Sequence, residues 1–196
     1  HVYPALAIAE ALVYHGTDAA LTFVGGVDDF ARPLVEAAKL PFEHMDRVRS
    51  GPLHGVPLIK KLISLVQLSI GTVQAIALVR KRRPSAILLT GGWVGLPIAL
   101  AARFWRVPSL IYLPDIEPGL TIKALRHIVN RVAVTAPDSQ QYFRAGQTVV
   151  TGYPVRKAMI DAVQGDARAQ GFAHFGLDPN RKTLMIFGGS RGARSI

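Results

Sequence analysis

The apolar residues of this 196-residue chain change period repeatedly along its length, and that alternation limits its fold more than any other feature. Helical spacing is read over residues 4–14, 58–83, 96–105 and 120–129, with a further helix ending at Ala37 and capped by Asp28 or Asp29. Strand-like runs lie between them at 21–24, 42–45, 86–89, 109–113, 132–134 and 148–150. Short apolar strands separated by helices predict an α/β architecture, a parallel sheet covered on both faces. Beyond Thr151 the pattern changes: Gly152-Tyr153-Pro154 is a turn signal, and polar residues with small helical pieces run to about Asn180. Another buried strand is predicted at 183–187. These shifts predict one domain over residues 1–155 and the beginning of a second over 156–196. The chain starts at His1, already inside a helical pattern, and stops at Ile196, so both ends read as cut from a longer protein.

The predicted strand at 183–187 leads into Gly188-Gly189-Ser190-Arg191-Gly192-Ala193. Glycines there let the backbone turn tightly and bring N–H groups up to an anion, and a helix N-terminus behind them favours negative charge. Two more turns take the same position after a strand: Gly91-Gly92-Trp93 after 86–89, and Asp115-Ile116-Glu117-Pro118-Gly119 after 109–113. In open α/β sheets ligands collect beyond the carboxyl ends of the strands, so three such turns point to one cleft. None matches the spaced dinucleotide fingerprint, and no Walker lysine is present.

The net charge of +10 and a pI near 10.4 suit nucleic acid, anionic lipid or phosphorylated ligands. The densest run, Arg80-Lys81-Arg82-Arg83, reads equally as a helix C-terminus complementing its dipole or as a membrane or nucleic-acid patch. No aromatic residues are interleaved with it, so no stacking platform for single strands is evident. The uncharged tract 62–79 approaches the ~18-residue lower limit of a membrane span, but Ser64, Gln67, Ser69, Gly71, Thr72 and Gln74 interrupt it. It reads as a buried or surface-docked helix. Its start, Leu58 to Val66 with Lys60 and Lys61, suits an anionic membrane surface, although packing on the sheet is the more ordinary fate of such a face. The chain has no Cys, which excludes disulfides and thiolate metal sites, and its histidines have no metal-ligand spacing.

Some side chains at these turns have chemistry to offer. His1 opens the first helix and has an imidazole suited to general-base work. Asp115 and Glu117 can orient a hydroxyl or accept its proton, although acids before Pro and Gly more commonly build turns and caps. Arg156 sits at the predicted domain junction, where a guanidinium can meet a phosphate or simply face solvent.

Together these pieces resemble the MurG-type glycosyltransferases. His1-Val2-Tyr3-Pro4-Ala5-Leu6 is similar to the helix start after the family's first glycine loop, and Gly91-Gly92-Trp93-Val94-Gly95 to its second, where Tyr usually follows the two glycines. Gly152-Tyr153-Pro154-Val155-Arg156 resembles the Gly-Asn-Pro-Val-Arg junction, and Gly188-Gly189-Ser190-Arg191-Gly192-Ala193-Arg194 the Gly-Gly-Ser-Gln-Gly-Ala-Arg loop. The resemblance extends over nearly the whole chain in matching order. It implies a GT-B fold, two Rossmann-like domains facing a cleft, with the first strand of the N-terminal domain and most of the second domain outside this chain. It also implies transfer of N-acetylglucosamine from UDP-N-acetylglucosamine to the undecaprenyl-pyrophosphoryl-muramyl pentapeptide of peptidoglycan synthesis, with inversion and without metal or other cofactor.

On that resemblance His1 takes the position of the candidate base, with Asp115 beside it, and Gly91, Gly92, Trp93 and Glu117 meet the acceptor. Arg156, Gly189, Ser190, Arg191 and Gly192 meet the nucleotide-sugar donor. The implied partners are that donor, the lipid-linked acceptor and the anionic inner face of a bacterial plasma membrane, to which the enzyme binds peripherally; no nucleic acid is expected. One loop departs from the pattern. The family's His-Glu-Gln-Asn aligns with Tyr112-Leu113-Pro114-Asp115, and Arg191 replaces Gln. A related glycolipid synthase acting on diacylglycerol, and a non-catalytic basic module docking on membranes, are the competing expectations.

Overall fold

The computed structural model describes residues 2–27 and 31–186. By its contacts the chain divides into two compact units, His1–Arg156 and Lys157–Ile196. In the first unit the order is α1 (Val2–Tyr14), β1 (Leu21–Gly26), α2 (Arg32–Ala37), β2 (Phe42–Val48), α3 (Leu58–Arg82), β3 (Ile87–Leu89), α4 (Gly95–Trp105), β4 (Ser109–Leu113), α5 (Leu120–Leu125), β5 (Arg131–Val134) and β6 (Thr148–Val150). The expected cap at Asp28 or Asp29 lies outside the described residues.

Every strand pairing is parallel, but the strands form two sheets instead of one: β1 with β2, and β3-β4-β5-β6 in spatial order. No ladder joins β1 to β3 among the described residues. Packing joins the two sheets instead. Val48 of β2 shares a core with Ala75 and Val79 of α3, and that core continues through Ile98, Ile111, Leu113, Leu125, Val132 and Val134. Successive strand residues point to opposite faces. Ile111, Tyr112 and Leu113 are all buried, so both faces of β4 are covered. Each fully buried Leu or Ile contributes about 1.5–3 kcal/mol relative to exposure.

α3 shows how closely backbone approaches backbone here. A Cβ on Gly71 would lie 1.8 Å from the carbonyl oxygen of Arg49, and one on Gly51 would lie 2.7 Å from Ser64 Oγ. The Arg49 amide also donates to Gln74 Oε1 at 3.0 Å. The segment after β2 is therefore pressed onto α3 at positions where no larger residue fits. The cationic run closes the helix. Arg83 takes the left-handed cap conformation (φ 46°), its N–H donating to Val79 O, and Arg82 donates to both carboxylate oxygens of Asp46 on β2, at 2.8 and 3.0 Å. That guanidinium holds the Asp46 carboxyl below the usual carboxylate range.

One helix differs from expectation in this unit. α5 stops at Leu125 rather than near Val129, and residues 126–130 turn back through Ile128 and Val129 amides that donate to Leu125 O. A 3-10 helix, Pro137–Tyr142, follows β5, in a stretch for which the sequence pattern makes no prediction. The second unit has helices α6 (Lys157–Gln164) and α7 (Ala167–Phe175), neither with a buried residue. Residues 183–186 are not a strand, and Leu184 is 84% exposed. A strand needs a neighbour to take its backbone hydrogen bonds, and no strand lies elsewhere among the described residues of this unit.

Candidate active site

Because β3 to β6 run parallel, their carboxyl-terminal turns lie along one edge of the sheet. That edge receives most of the described residues singled out from the sequence. After β3, Gly91 and Gly92 take φ 107° and 76°, left-handed values that a side chain resists. The turn delivers the half-buried Trp93 and starts α4 at Gly95, whose amide donates to Gly92 O. After β4, Pro114 leads to exposed Asp115 and Glu117, then to buried Pro118 and the cap of α5 at Gly119. Lys123 Nζ donates to Glu117 Oε1 at 3.0 Å, which ties that acid to the first turns of α5. Ser139, fully buried, donates to the Asp115 carbonyl at 3.4 Å, leaving the Asp115 carboxylate to face outward.

After β6, Gly152 (φ 73°) turns the chain through Tyr153 and Pro154 to Arg156. The Arg156 guanidinium lies over the ring of Tyr3, 5.0 Å from its centroid. This brings the end of the unit against the first turn of α1. A groove of about 250 Å3, lined mainly by Ala7, Ile8, Leu12, Pro154 and Val155, continues that contact along the helix. Arg156 therefore flanks the helix start at which the sequence places His1. His1 itself lies outside the described residues, as do Gly189, Ser190, Arg191 and Gly192.

Three hydroxyls at this edge lie outside the sequence motifs: Tyr112, which only departs from the family's pattern, Thr135 and Ser139. Tyr112 OH lies 3.1 Å from Thr135 Oγ1, and Thr135 Oγ1 lies 3.0 and 3.1 Å from the carbonyl oxygens of Leu113 and Pro114. Burial pushes the Tyr112 phenol up from its ordinary range, so it stays protonated and available as a donor at neutral pH. A Thr immediately after an apolar strand was the available signal, because that position faces the ligand edge of a parallel sheet. Among the described residues no group of three His, Asp or Glu is gathered as a metal site.

A second region stands apart from this edge. The outer face of α3 is apolar and uncovered: Leu58 is 74% and Ile59 73% exposed, and Leu62, Ile63, Leu65, Val66 and Val73 are exposed as well. Lys60 and Lys61 lie among them. α4 packs beside α3, with Trp105 Nε1 donating to Ile76 O at 3.0 Å, and ends in exposed Arg103, Phe104 and Arg106. α3 is long and apolar enough to cross a membrane, but a buried stripe of Ser64, Leu68, Gly71, Ala75 and Val79 holds one side of it to the protein.

The glycosyltransferase family 28 N-terminal domain matches residues 1–134. Among curated relatives, the UDP-N-acetylglucosamine–N-acetylmuramyl-(pentapeptide) pyrophosphoryl-undecaprenol N-acetylglucosamine transferase of Roseiflexus sp. (strain RS-1) is 35% identical over 234 residues, covering 100% of this chain and 52% of its own length. The enzyme of the same name from Desulfitobacterium hafniense (strain DSM 10664 / DCB-2) is 36% identical over 203 residues, with the same coverage, 100% and 52%. The chain thus spans about half the length of these relatives. The crystal structure of Acinetobacter baumannii MurG superposes with a TM-score of 0.63 at 24% identity, over 80% of this chain and 42% of that one. UDP-GlcNAc 2-epimerase from Neisseria meningitidis, bound to UDP-GlcNAc, gives a TM-score of 0.62 at 13% identity, over 92% and 53%. These two likenesses are evidence of fold, and the fold is of GT-B type.

Proposed function

The chain belongs to glycosyltransferase family 28, and from that membership we propose that it is the acceptor-side part of an enzyme moving N-acetylglucosamine from UDP-N-acetylglucosamine to undecaprenyl-pyrophosphoryl-muramyl pentapeptide. The observation that carries the reading is the single edge on which the turns after β3, β4, β5 and β6 meet. In this reading Gly91, Gly92 and Trp93 form one wall for the acceptor, and the Asp115–Glu117 turn forms the next. The acceptor hydroxyl attacks the anomeric carbon of the donor sugar. A bond forms between that oxygen and carbon, the bond from carbon to the β-phosphate oxygen breaks, and UDP leaves with the electron pair. The hydroxyl proton passes to a base, His1 or Asp115. Attack opposite the leaving group inverts the centre.

Charge grows on the departing diphosphate. Arg156 at the end of the first unit, and the amides of Gly189, Ser190, Arg191 and Gly192, are the groups assigned to it. Such a site needs no metal, so chelation with EDTA is expected to leave the rate unchanged. The outer face of α3, with Lys60 and Lys61, rests on the anionic cytoplasmic face of a bacterial plasma membrane, bringing the edge to an acceptor anchored there. The test is transfer of labelled sugar by the full-length protein, with the lipid-linked muramyl pentapeptide and diacylglycerol offered separately. Transfer to the first acceptor alone is expected. Transfer to diacylglycerol alone would replace the acceptor, a reading favoured only by the altered Tyr112-Leu113-Pro114-Asp115 loop. Salt-sensitive binding to vesicles with no binding of the donor would leave a docking module in place of an enzyme.

A further inference from the structure

We propose that Tyr112 and Thr135 act as a buried positioning pair that fixes the turn bearing Asp115 and the turn ending at Arg156 relative to one another. The ladders of the sheet end at Leu113 opposite Val134 and at Val134 opposite Val150. One more backbone bond, from the Thr151 amide to Val134 O at 2.9 Å, closes the pairing. Beyond that point the sheet no longer dictates where the turns lie, and the two hydroxyls stand there.

Proton counting gives their arrangement. The carbonyls of Leu113 and Pro114 accept only, so Thr135 spends its single proton on them, at 3.0 and 3.1 Å. Its lone pair is then left for the Tyr112 OH at 3.1 Å. The carbonyl of Gly152, 3.5 Å from the same phenol, is a second and weaker acceptor. The Tyr112 ring meets the Tyr153 ring edge to face, with centroids 6.2 Å apart. One side chain on β4, 1% exposed, thus touches the ends of β5 and β6 as well as reaching its own turn through Thr135. Packing alone would be served by Phe. A buried hydroxyl is tolerated where it is partnered, and a fully partnered network specifies one arrangement of what it joins.

What it joins is the machinery assigned above. Thr135 holds the carbonyl of Pro114, and Ser139 holds the carbonyl of Asp115 from another direction. At the other end, Gly152 and Tyr153 lead within four residues to Arg156 over Tyr3. Neither Tyr112 nor Thr135 is assigned contact with substrate; the pair acts through Asp115 and Arg156. The inference takes the identity of the reaction from the proposed function, but the geometry it describes does not depend on that identity.

The test uses the full-length protein with Tyr112→Phe, Thr135→Val and the double variant. Amide hydrogen exchange is followed over residues 114–119 and 152–156, and transfer kinetics are measured alongside. Tyr112→Phe keeps the ring and the fold, checked by circular dichroism. Faster exchange in both turns is expected, with kcat/KM about tenfold lower for either single variant, the scale of one lost hydrogen bond. The double variant should be little worse than Thr135→Val alone, because the Tyr112 hydroxyl reaches the Asp115 turn only through Thr135. Thr135→Ser, which keeps the hydroxyl, should recover the loss. Unchanged exchange in the two turns overturns the proposal, and so do single effects that multiply in the double variant. A wild-type enzyme without transfer would sink the functional reading instead, and exchange alone would then decide the fate of the pair.

Discussion

The carboxyl-terminal edge of the four-stranded sheet and the outer face of α3 solve opposite problems. At the edge, polar groups are taken out of water and each is given a partner: Tyr112 with Thr135, Thr135 with two carbonyls, Ser139 with Asp115. On α3, large apolar groups stay in water with nothing over them among the described residues. The first region has specified geometry and little area, as a site of chemistry requires. The second has area and no geometry, as suits a fluid surface that offers no fixed partners. The same helix contains its own control, because its inner stripe packs so closely that Gly71 has no room for a methyl group.

The largest effect is expected on that inner stripe. Gly71→Ala places a Cβ where the Arg49 carbonyl already stands, and backbone cannot rotate away as a side chain would. A loss of about 3 kcal/mol is expected, the upper end for overpacking, read as a lower denaturation midpoint. Val73→Ala, two residues on and exposed, should stay within about 0.5 kcal/mol. Equal losses at the two positions would erase the distinction between the inner and outer sides of α3.

Next in size is the exposed face of α3 that is proposed to dock. Replacing Leu58 and Leu62 together by Glu should lower partition onto anionic vesicles by roughly a hundredfold while the melting temperature holds, since exposed residues contribute to transfer and not to the core. Unchanged partition would remove the membrane from the account of α3.

At the edge, the glycine turn separates conformation from contact. Gly92→Ala meets no atom within 4 Å but sits at φ 76°, and should cost about 1–2 kcal/mol through backbone strain alone. Gly119→Ala, also in open space but at φ −65°, escapes that strain and should cost less, about 0.5 kcal/mol, from the preference of a helix cap for glycine over alanine.

The smallest effect belongs to Asp46 at the far end of α3. Its folded pKa lies below the ordinary 3.8 because Arg82 favours the carboxylate, so its stabilisation is complete above that value and fades as pH falls through the folded pKa. Asp46→Asn should therefore differ from the parent at neutral pH and converge with it in acid. Denaturation midpoints from about pH 6 down to about pH 2 would show the convergence.

Much of this was legible in the sequence because it is local. The 3.6-residue spacing of Leu68, Ala75 and Val79 marks α3, and the run Ser109 to Leu113 marks a strand buried on both faces. The glycine pairs mark turns because a left-handed backbone needs them. Long-range pairing was not legible. That β1 pairs with β2, and among the described residues not with the larger sheet, depends on contacts that periodicity does not encode. Thr183 to Ile186 has the composition of a strand, but a strand exists only where a neighbour accepts its hydrogen bonds. Tyr112 looked like a lost histidine because its partners, Thr135 and Gly152, lie 23 and 40 residues further along.

The proposed division of labour between the two regions is tested most directly by offering the full-length protein the proposed acceptor in two forms, embedded in anionic vesicles and as a short-chain, water-soluble analogue. Asp115→Ala should slow transfer to both forms alike, whereas the Leu58 and Leu62 double Glu variant should slow transfer on vesicles and match the parent on the soluble analogue. Equal slowing of the soluble reaction by the α3 variant would contradict the account, because the face assigned to docking would then be part of the site of transfer.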